Sequence, residues 1–139
     1  MSELERYTIT VPKELLETFD ARNHRKGYKN RSEAIRDLIR ESLVREEWGD
    51  PEARVAATMT LVYDHHTRDL SAKLTEVQHE HGDLIVSALH VHLDHHNCLE
   101  VVVLRGIARR VQVFADALGS IKGVKHARLT LTTEGKHLC

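Results

Sequence analysis

The break Gly49-Asp50-Pro51 divides the 139-residue chain and limits what either side can become. Ahead of it, about 48 residues offer one strand and two helices, too little to close a core alone. The strand candidate Arg6-Tyr7-Thr8-Ile9-Thr10-Val11 alternates, with Arg6, Thr8 and Thr10 on one face and Tyr7, Ile9 and Val11 on the other. Pro12 suits the first position of a following helix, which carries Leu15, Leu16 and Phe19 on one side and stops at Gly27. Ser32 reads as the N-cap of a second helix with the stripe Ile35, Leu38, Ile39, Ser42 and Leu43. One strand cannot form a sheet and two short helices bury little. Such a unit must dimerise, and pairing two N-terminal strands across a two-fold axis supplies what it lacks.

Behind the break, six elements follow in the order βαββαβ. Strands are expected over 55–63, 84–94, 98–105 and 124–132, with helices over 68–78 and 107–118. This order is the split βαβ or ferredoxin-like arrangement. The fold class is therefore α+β: a βαα unit over 1–49, a linker over 50–53, and a βαββαβ domain over 54–139.

Charge totals argue against a polycationic binder, since 20 basic residues face 21 acidic ones. Aromatics, at 4%, are too few for single-strand stacking platforms. Two cysteines, Cys98 and Cys139, cannot make a disulfide framework. No apolar run approaches a membrane span or a signal peptide, so a soluble cytoplasmic protein is expected. Local charge is another matter. Arg22, Arg25, Lys26, Lys29 and Arg31 fall within 22–31 with no acid among them, just ahead of the second helix. Basic side chains and a helix N-terminus favour phosphate there. A two-stranded ribbon fits the major groove, where Arg reads guanine and Thr meets base edges or thymine methyls. Arg6, Thr8, Thr10, Lys29, Arg31 and Ser32 are the candidate contacts to double-stranded DNA.

The strand at 6–11 followed by Asn30-Arg31-Ser32-Glu33-Ala34-Ile35 resembles a ribbon-helix-helix repressor over the first third of the chain.

Eight of the 11 histidines lie between His65 and His96. In His90-Val91-His92 both imidazoles project to one face of a strand, opposite Leu89, Val91 and Leu93. The turn Asp94-His95-His96-Asn97 brings Cys98 back alongside them, and His79, ending the preceding helix, is a fourth candidate. Two imidazoles and a thiolate suit zinc, copper or nickel, and not magnesium or calcium.

The segments Gln78-His79-Glu80-His81-Gly82-Asp83, Leu89-His90-Val91-His92-Leu93-Asp94-His95 and Cys98-Leu99-Glu100 resemble the nickel-responsive regulators of the NikR family, and with the ribbon-helix-helix start the likeness spans nearly the whole chain. The resemblance implies a C-terminal ACT-type metal domain and a tetramer of two DNA-binding dimers. It implies one Ni(II) per subunit as co-repressor of nickel-uptake genes, held by His90, His92 and Cys98 of one subunit and His79 of a neighbour. By the same likeness His65 and His81 are secondary metal positions, Tyr63 shapes the nickel neighbourhood, and Glu33 and Asp37 hold a cation such as K⁺ between the domains. Without a cation, that like-charged pair at four-residue spacing costs a few tenths of a kcal/mol. Gly82 and Thr67 depart from the family, which often has histidine and lysine there. Cys139 matches nothing, and His66, His95 and His96 receive no role.

Three other readings compete. A copper- or zinc-responsive regulator would use the same ligands, because Cu(II) shares the planar preference. An ACT-type sensor of a small molecule would leave the histidines incidental. An enzyme is disfavoured, since no nucleophile-base-acid constellation accompanies the ligands. An operator with two symmetric, spaced half-sites is the expected DNA partner.

Overall fold

The computed structural model describes residues 2–139, which form two compact units: the chain up to Leu43 with Gly135–Cys139, and Val44–Glu134. The division falls inside a helix, after Leu43.

In the first unit, α1 spans Lys13–Lys26 and α2 spans Arg31–Gly49. Pro12 stands one residue earlier than expected, as the N-cap of α1, and its carbonyl accepts from Leu16 N–H at 3.1 Å. Gly27 ends α1 in the left-handed region at φ 83°, where its N–H reaches His24 O and that of Tyr28 reaches Asn23 O. A Cβ would strain that conformation. The N-cap of α2 is Asn30 rather than Ser32: Asn30 Oδ1 accepts the Glu33 N–H at 2.9 Å. A capping oxygen must reach an N–H two or three residues on, and Ser32 already lies inside the helix.

The expected strand over 6–11 is not formed within the chain; residues 2–12 carry neither helix nor ladder. An extended segment needs a neighbouring strand to pair its backbone, and the sheet of this molecule draws no strand from it. Burial in this unit is slight. Only Asn23 and Ala34 are buried in its two helices, while Tyr7, Ile9, Leu15, Leu38 and Ile39 are exposed.

The second unit carries β1 (Arg54–Asp64), α3 (Leu70–Glu80), β2 (Ile85–His92), β3 (Asn97–Ile107), α4 (Ala108–Gly119) and β4 (Val124–Thr132). A single 3₁₀ turn, Gly82–Leu84, leads into β2. The sheet is antiparallel throughout in the order β2-β3-β1-β4, as the ferredoxin-like arrangement requires. Alternation on β1 buries Val55, Ala57, Met59, Leu61 and Tyr63, and on β3 it buries Cys98, Glu100, Val102 and Leu104. Against that face α4 lays Val111, Phe114, Ala115 and Leu118, and α3 lays Leu70 and Leu74. The opposite sheet face stays open, with Leu89 60% and Val91 38% exposed.

Two details tighten the unit. A Cβ on Gly106 would stand 2.6 Å from Leu84 Cδ2, so the backbone of β3 meets that leucine only as glycine. The segment around Pro51 is ordered: Pro51 O and Ala53 O accept the N–H groups of Arg109 and Ala108, satisfying the start of α4.

Candidate metal centre

The ends of β1 and β2 and the start of β3 meet at one rim of the sheet. Register places His92 opposite Cys98 and His90 opposite Glu100, so the two histidines share a face, as their spacing predicts. On the neighbouring strand Tyr63 lies opposite Cys98. His65 follows in the turn after β1, its N–H bonded to His96 O at 3.1 Å.

Here the donors converge. One ligand atom each from His65, His92 and Cys98 lies within 4.8 Å of the others. His65 Nδ1 is 3.3 Å from Cys98 Sγ, and the His65 and His92 rings are 5.0 Å apart. His90 stands next in line, 5.3 Å from His92 between ring centres. Sequence reasoning placed His65 in a secondary role, yet within the chain it joins the tightest group. His79 is not in that group. It lines a cavity of about 450 Å³ together with Tyr63, Gln78, His90 and Glu100.

Burial pushes the Cys98 thiol above its ordinary value. Burial, helped by the nearby rings of His66 and His92, lowers His65, which keeps its imidazole neutral. Neutral imidazoles and a thiol that loses its proton on binding form a borderline transition-metal donor set. The residues fit a divalent ion of the nickel, copper or zinc class.

A buried acid organises the rim. Glu100, 8% exposed, accepts from Tyr63 Oη at 3.0 Å through one oxygen and from Gln78 Nε2 at 2.9 Å through the other. Burial, then the Glu100 charge, raises Tyr63 and keeps its phenol protonated. Its single proton goes to Glu100, so Tyr63 Oη accepts from His90 Nδ1 at 3.3 Å. His90 Nε2 is left with the free lone pair, an outer-shell arrangement common to ligating histidines. Sequence reasoning gave Glu100 and Gln78 no role. An acid at an inward position of β3, between Cys98 and Val102, was the signal for Glu100.

The remaining candidates lie elsewhere. His81 donates from Nδ1 to Val77 O at 3.0 Å and packs 5.2 Å from the Phe114 ring. Asp37 accepts from Tyr28 Oη at 2.7 Å and from Arg40 at 3.0 Å; with Glu33, Arg36 and Cys139 they line one cavity. The Tyr28 bond, then that of Arg40, holds the Asp37 carboxyl low. Cys139 is exposed, and its carbonyl accepts from Arg40. Arg6, Thr8, Thr10, Lys29, Arg31 and Ser32 are all exposed. Arg31, however, makes a two-pronged bond to Asp20 at 2.8 and 2.7 Å, so the basic turn meets an acid from the neighbouring helix. Among the described residues no helix is long and apolar enough to cross a membrane.

Comparison with known proteins covers both units. Residues 5–46 match the family described as ribbon-helix-helix protein, copG family, and residues 56–132 match the NikR C terminal nickel binding domain. A Geotalea uraniireducens protein named "Putative nickel-responsive regulator" is 59% identical over 138 residues, covering 99% of each chain. A Nitratidesulfovibrio vulgaris protein of the same name is 53% identical over 133 residues, covering 96% of each. The fold is also similar to that of an uncharacterized Thermotoga maritima protein, TM1266, at 15% identity and a TM-score of 0.51, over 56% of this chain and 96% of that one. With the two domain families matched in this order and relatives of more than half identity along its length, the chain belongs to the nickel-responsive regulator family.

Proposed function

We propose that this chain is a nickel-dependent, DNA-binding transcriptional repressor, probed most directly through the rim of imidazoles around Cys98. The observation that carries the reading is the convergence of His65 and His92 on the buried thiol of Cys98, with His90 held beside them by Tyr63. Residues 1–49 act as the DNA-binding unit, 50–53 as linker and 54–139 as the metal-binding and assembly domain. His90, His92 and Cys98 of one subunit, with His79 of a neighbour, are the proposed ligands of one ion per subunit.

Bound Ni(II) supplies a Lewis-acidic centre that ties these side chains together. The protein's own part is to present neutral imidazoles, release the Cys98 proton and orient His90 through Tyr63. Two dimers, each pairing the 6–11 segments as a ribbon, would present Arg6, Thr8 and Thr10 to the major groove. Lys29, Arg31 and Ser32 would meet backbone phosphates. Exposed apolar side chains on both units support assembly into a homotetramer. Operator DNA with two symmetric half-sites in the cytoplasm, nickel-uptake genes as targets, and K⁺ near Glu33 and Asp37 complete the reading. Metal binding and DNA binding are then reciprocally linked. The chain acts without enzymatic chemistry.

A gel shift on the candidate promoter with and without stoichiometric nickel tests this, repeated on His90→Ala and Cys98→Ala. Nickel-independent binding by the wild type would refute the switch; an intact nickel response in both variants would refute the ligand assignment. A zinc- or copper-responsive regulator is the second reading. It is favoured by the His65–His92–Cys98 group, whose two imidazoles and one thiolate are donors zinc commonly takes. The same shift with zinc or copper in place of nickel separates them.

A further inference from the structure

Arg31, one of the proposed phosphate contacts, is the first residue of α2, and it is held at both ends. On the backbone side, the N–H groups of Gly27 and Tyr28 bond back to α1, and Asn30 caps the helix that Arg31 opens. At the far end Asp20, on α1, clamps the guanidinium: its two carboxylate oxygens accept from Nε at 2.8 Å and Nη2 at 2.7 Å. The bond to Arg31 holds the Asp20 carboxyl below its ordinary value, so the acid is ionised at neutral pH.

The clamp leaves one edge over. A guanidinium has five N–H donors in a fixed plane, and this fork engages Nε and one N–H of Nη2. Both N–H groups of Nη1 and the second of Nη2 remain, facing away from the carboxylate. A phosphate can take that edge while Asp20 keeps the other. Stability does not account for the pair, because its side chains are 56% and 42% exposed and such ion pairs add little to a fold.

Attraction and aim are thereby divided among the basic residues. Arg25, Lys26 and Lys29 are exposed on long side chains and draw in a duplex in any register. Arg31, its charge cancelled by Asp20, adds little at a distance. It favours only the placement that sets a phosphate oxygen on its open edge. Phosphate contacts fix the register in which base-reading side chains meet their bases. An Arg31 aimed in advance therefore favours the seating in which Arg6, Thr8 and Thr10 reach base edges.

We propose that Asp20 is a specificity-determining positioning residue for DNA. By aiming Arg31 and cancelling its charge, it suppresses binding to DNA of the wrong sequence. The inference rests on the DNA-binding function proposed above.

Fluorescence anisotropy of the nickel-loaded full chain, on the candidate promoter and on a random duplex of equal length, tests it. Asp20→Asn keeps the shape of the side chain and removes its charge. Binding to the random duplex should tighten about threefold at ~50 mM salt, with the salt slope steeper by about 0.9 per chain in contact. Promoter affinity should rise less, so the promoter-to-random ratio should fall. Asp20→Ser, which also removes the charge, should behave alike, and both variants should keep the wild-type Tm. In an Arg31→Ala background Asp20→Asn should leave the ratio unchanged, because loss of an acid then favours both duplexes equally. A ratio that neither Asp20 variant lowers, or that falls as far without Arg31, overturns the proposal and leaves DNA binding by the wild type standing. A wild type that binds neither duplex refutes the DNA-binding function itself, and the role of Asp20 with it.

Discussion

His65 Nδ1 and Cys98 Sγ meet at 3.3 Å across 33 residues of sequence. Cys98 opens β3 and His65 directly follows its neighbour β1, since Tyr63 pairs with Cys98 and Asp64 with Asn97, and the chain turns immediately after. The turn brings the imidazole over the buried sulfur. This contact makes the donor group a property of tertiary pairing rather than of the His-x-His motif alone.

The hydrogen-bond chain Gln78–Glu100–Tyr63–His90 should matter to metal binding without touching the ion. Tyr63→Phe removes the acceptor for His90 Nδ1 and leaves Glu100 one partner short. Metal affinity should fall about 10–100-fold, with the circular dichroism spectrum preserved. Competition against a chromophoric chelator reads the change.

Because burial raises the Cys98 thiol, the metal-free protein carries the proton at neutral pH. Uptake of an ion should release that proton, so apparent affinity should fall about tenfold per pH unit on acidification below neutrality. Calorimetric titration in buffers of different ionisation enthalpy counts the proton released. Cys98→Ser should release one fewer.

Asp94 stabilises the β2–β3 hairpin by accepting from Asn97 and His96, and these bonds hold its carboxyl well below the ordinary value of 3.8. A depressed folded value adds stability above the unfolded one and loses it as pH falls through the folded one. Asp94→Ala should therefore lower Tm most near neutral pH, and the gap from wild type should narrow on strong acidification. Thermal melts across an acid-to-neutral series check both the sign and the window.

Gly106→Ala should destabilise the second unit by about 1–3 kcal/mol, because the new methyl meets Leu84 Cδ2 in a packed core. Urea denaturation measures it. Gly82→Ala serves as a control, since a Cβ there meets nothing within 4 Å.

Much of the second unit was legible from periodicity. The alternation of β1 and the stripe of α4 each follow from one face being buried, and the βαββαβ order then leaves few topologies. His90, His92 and Cys98 were legible because a strand and a tight turn fix their sides locally. His65 and Glu100 were not, since each depends on which strands become neighbours. Asp20 was missed for a related reason: it meets Arg31 across an interhelical turn, beyond the reach of a window that counts adjacent charges. The N-cap of α2 went to Asn30 over Ser32 by two positions, a distance set by backbone geometry that side-chain preference alone does not resolve.

The strand order carries a consequence for how the rim behaves in time. Cys98 and the residues leading to His65 belong to inner strands, each hydrogen-bonded on two sides, whereas His90 and His92 ride on β2, the edge strand beside β3 among the described residues. Edge amides open to solvent at lower cost than central ones. Amide exchange should therefore find a protected half, built on β1 and β3, and a frayed half on β2. The cluster closes like a vice with one fixed jaw, and an ion that bridges the two halves slows exchange along β2 far more than along β1.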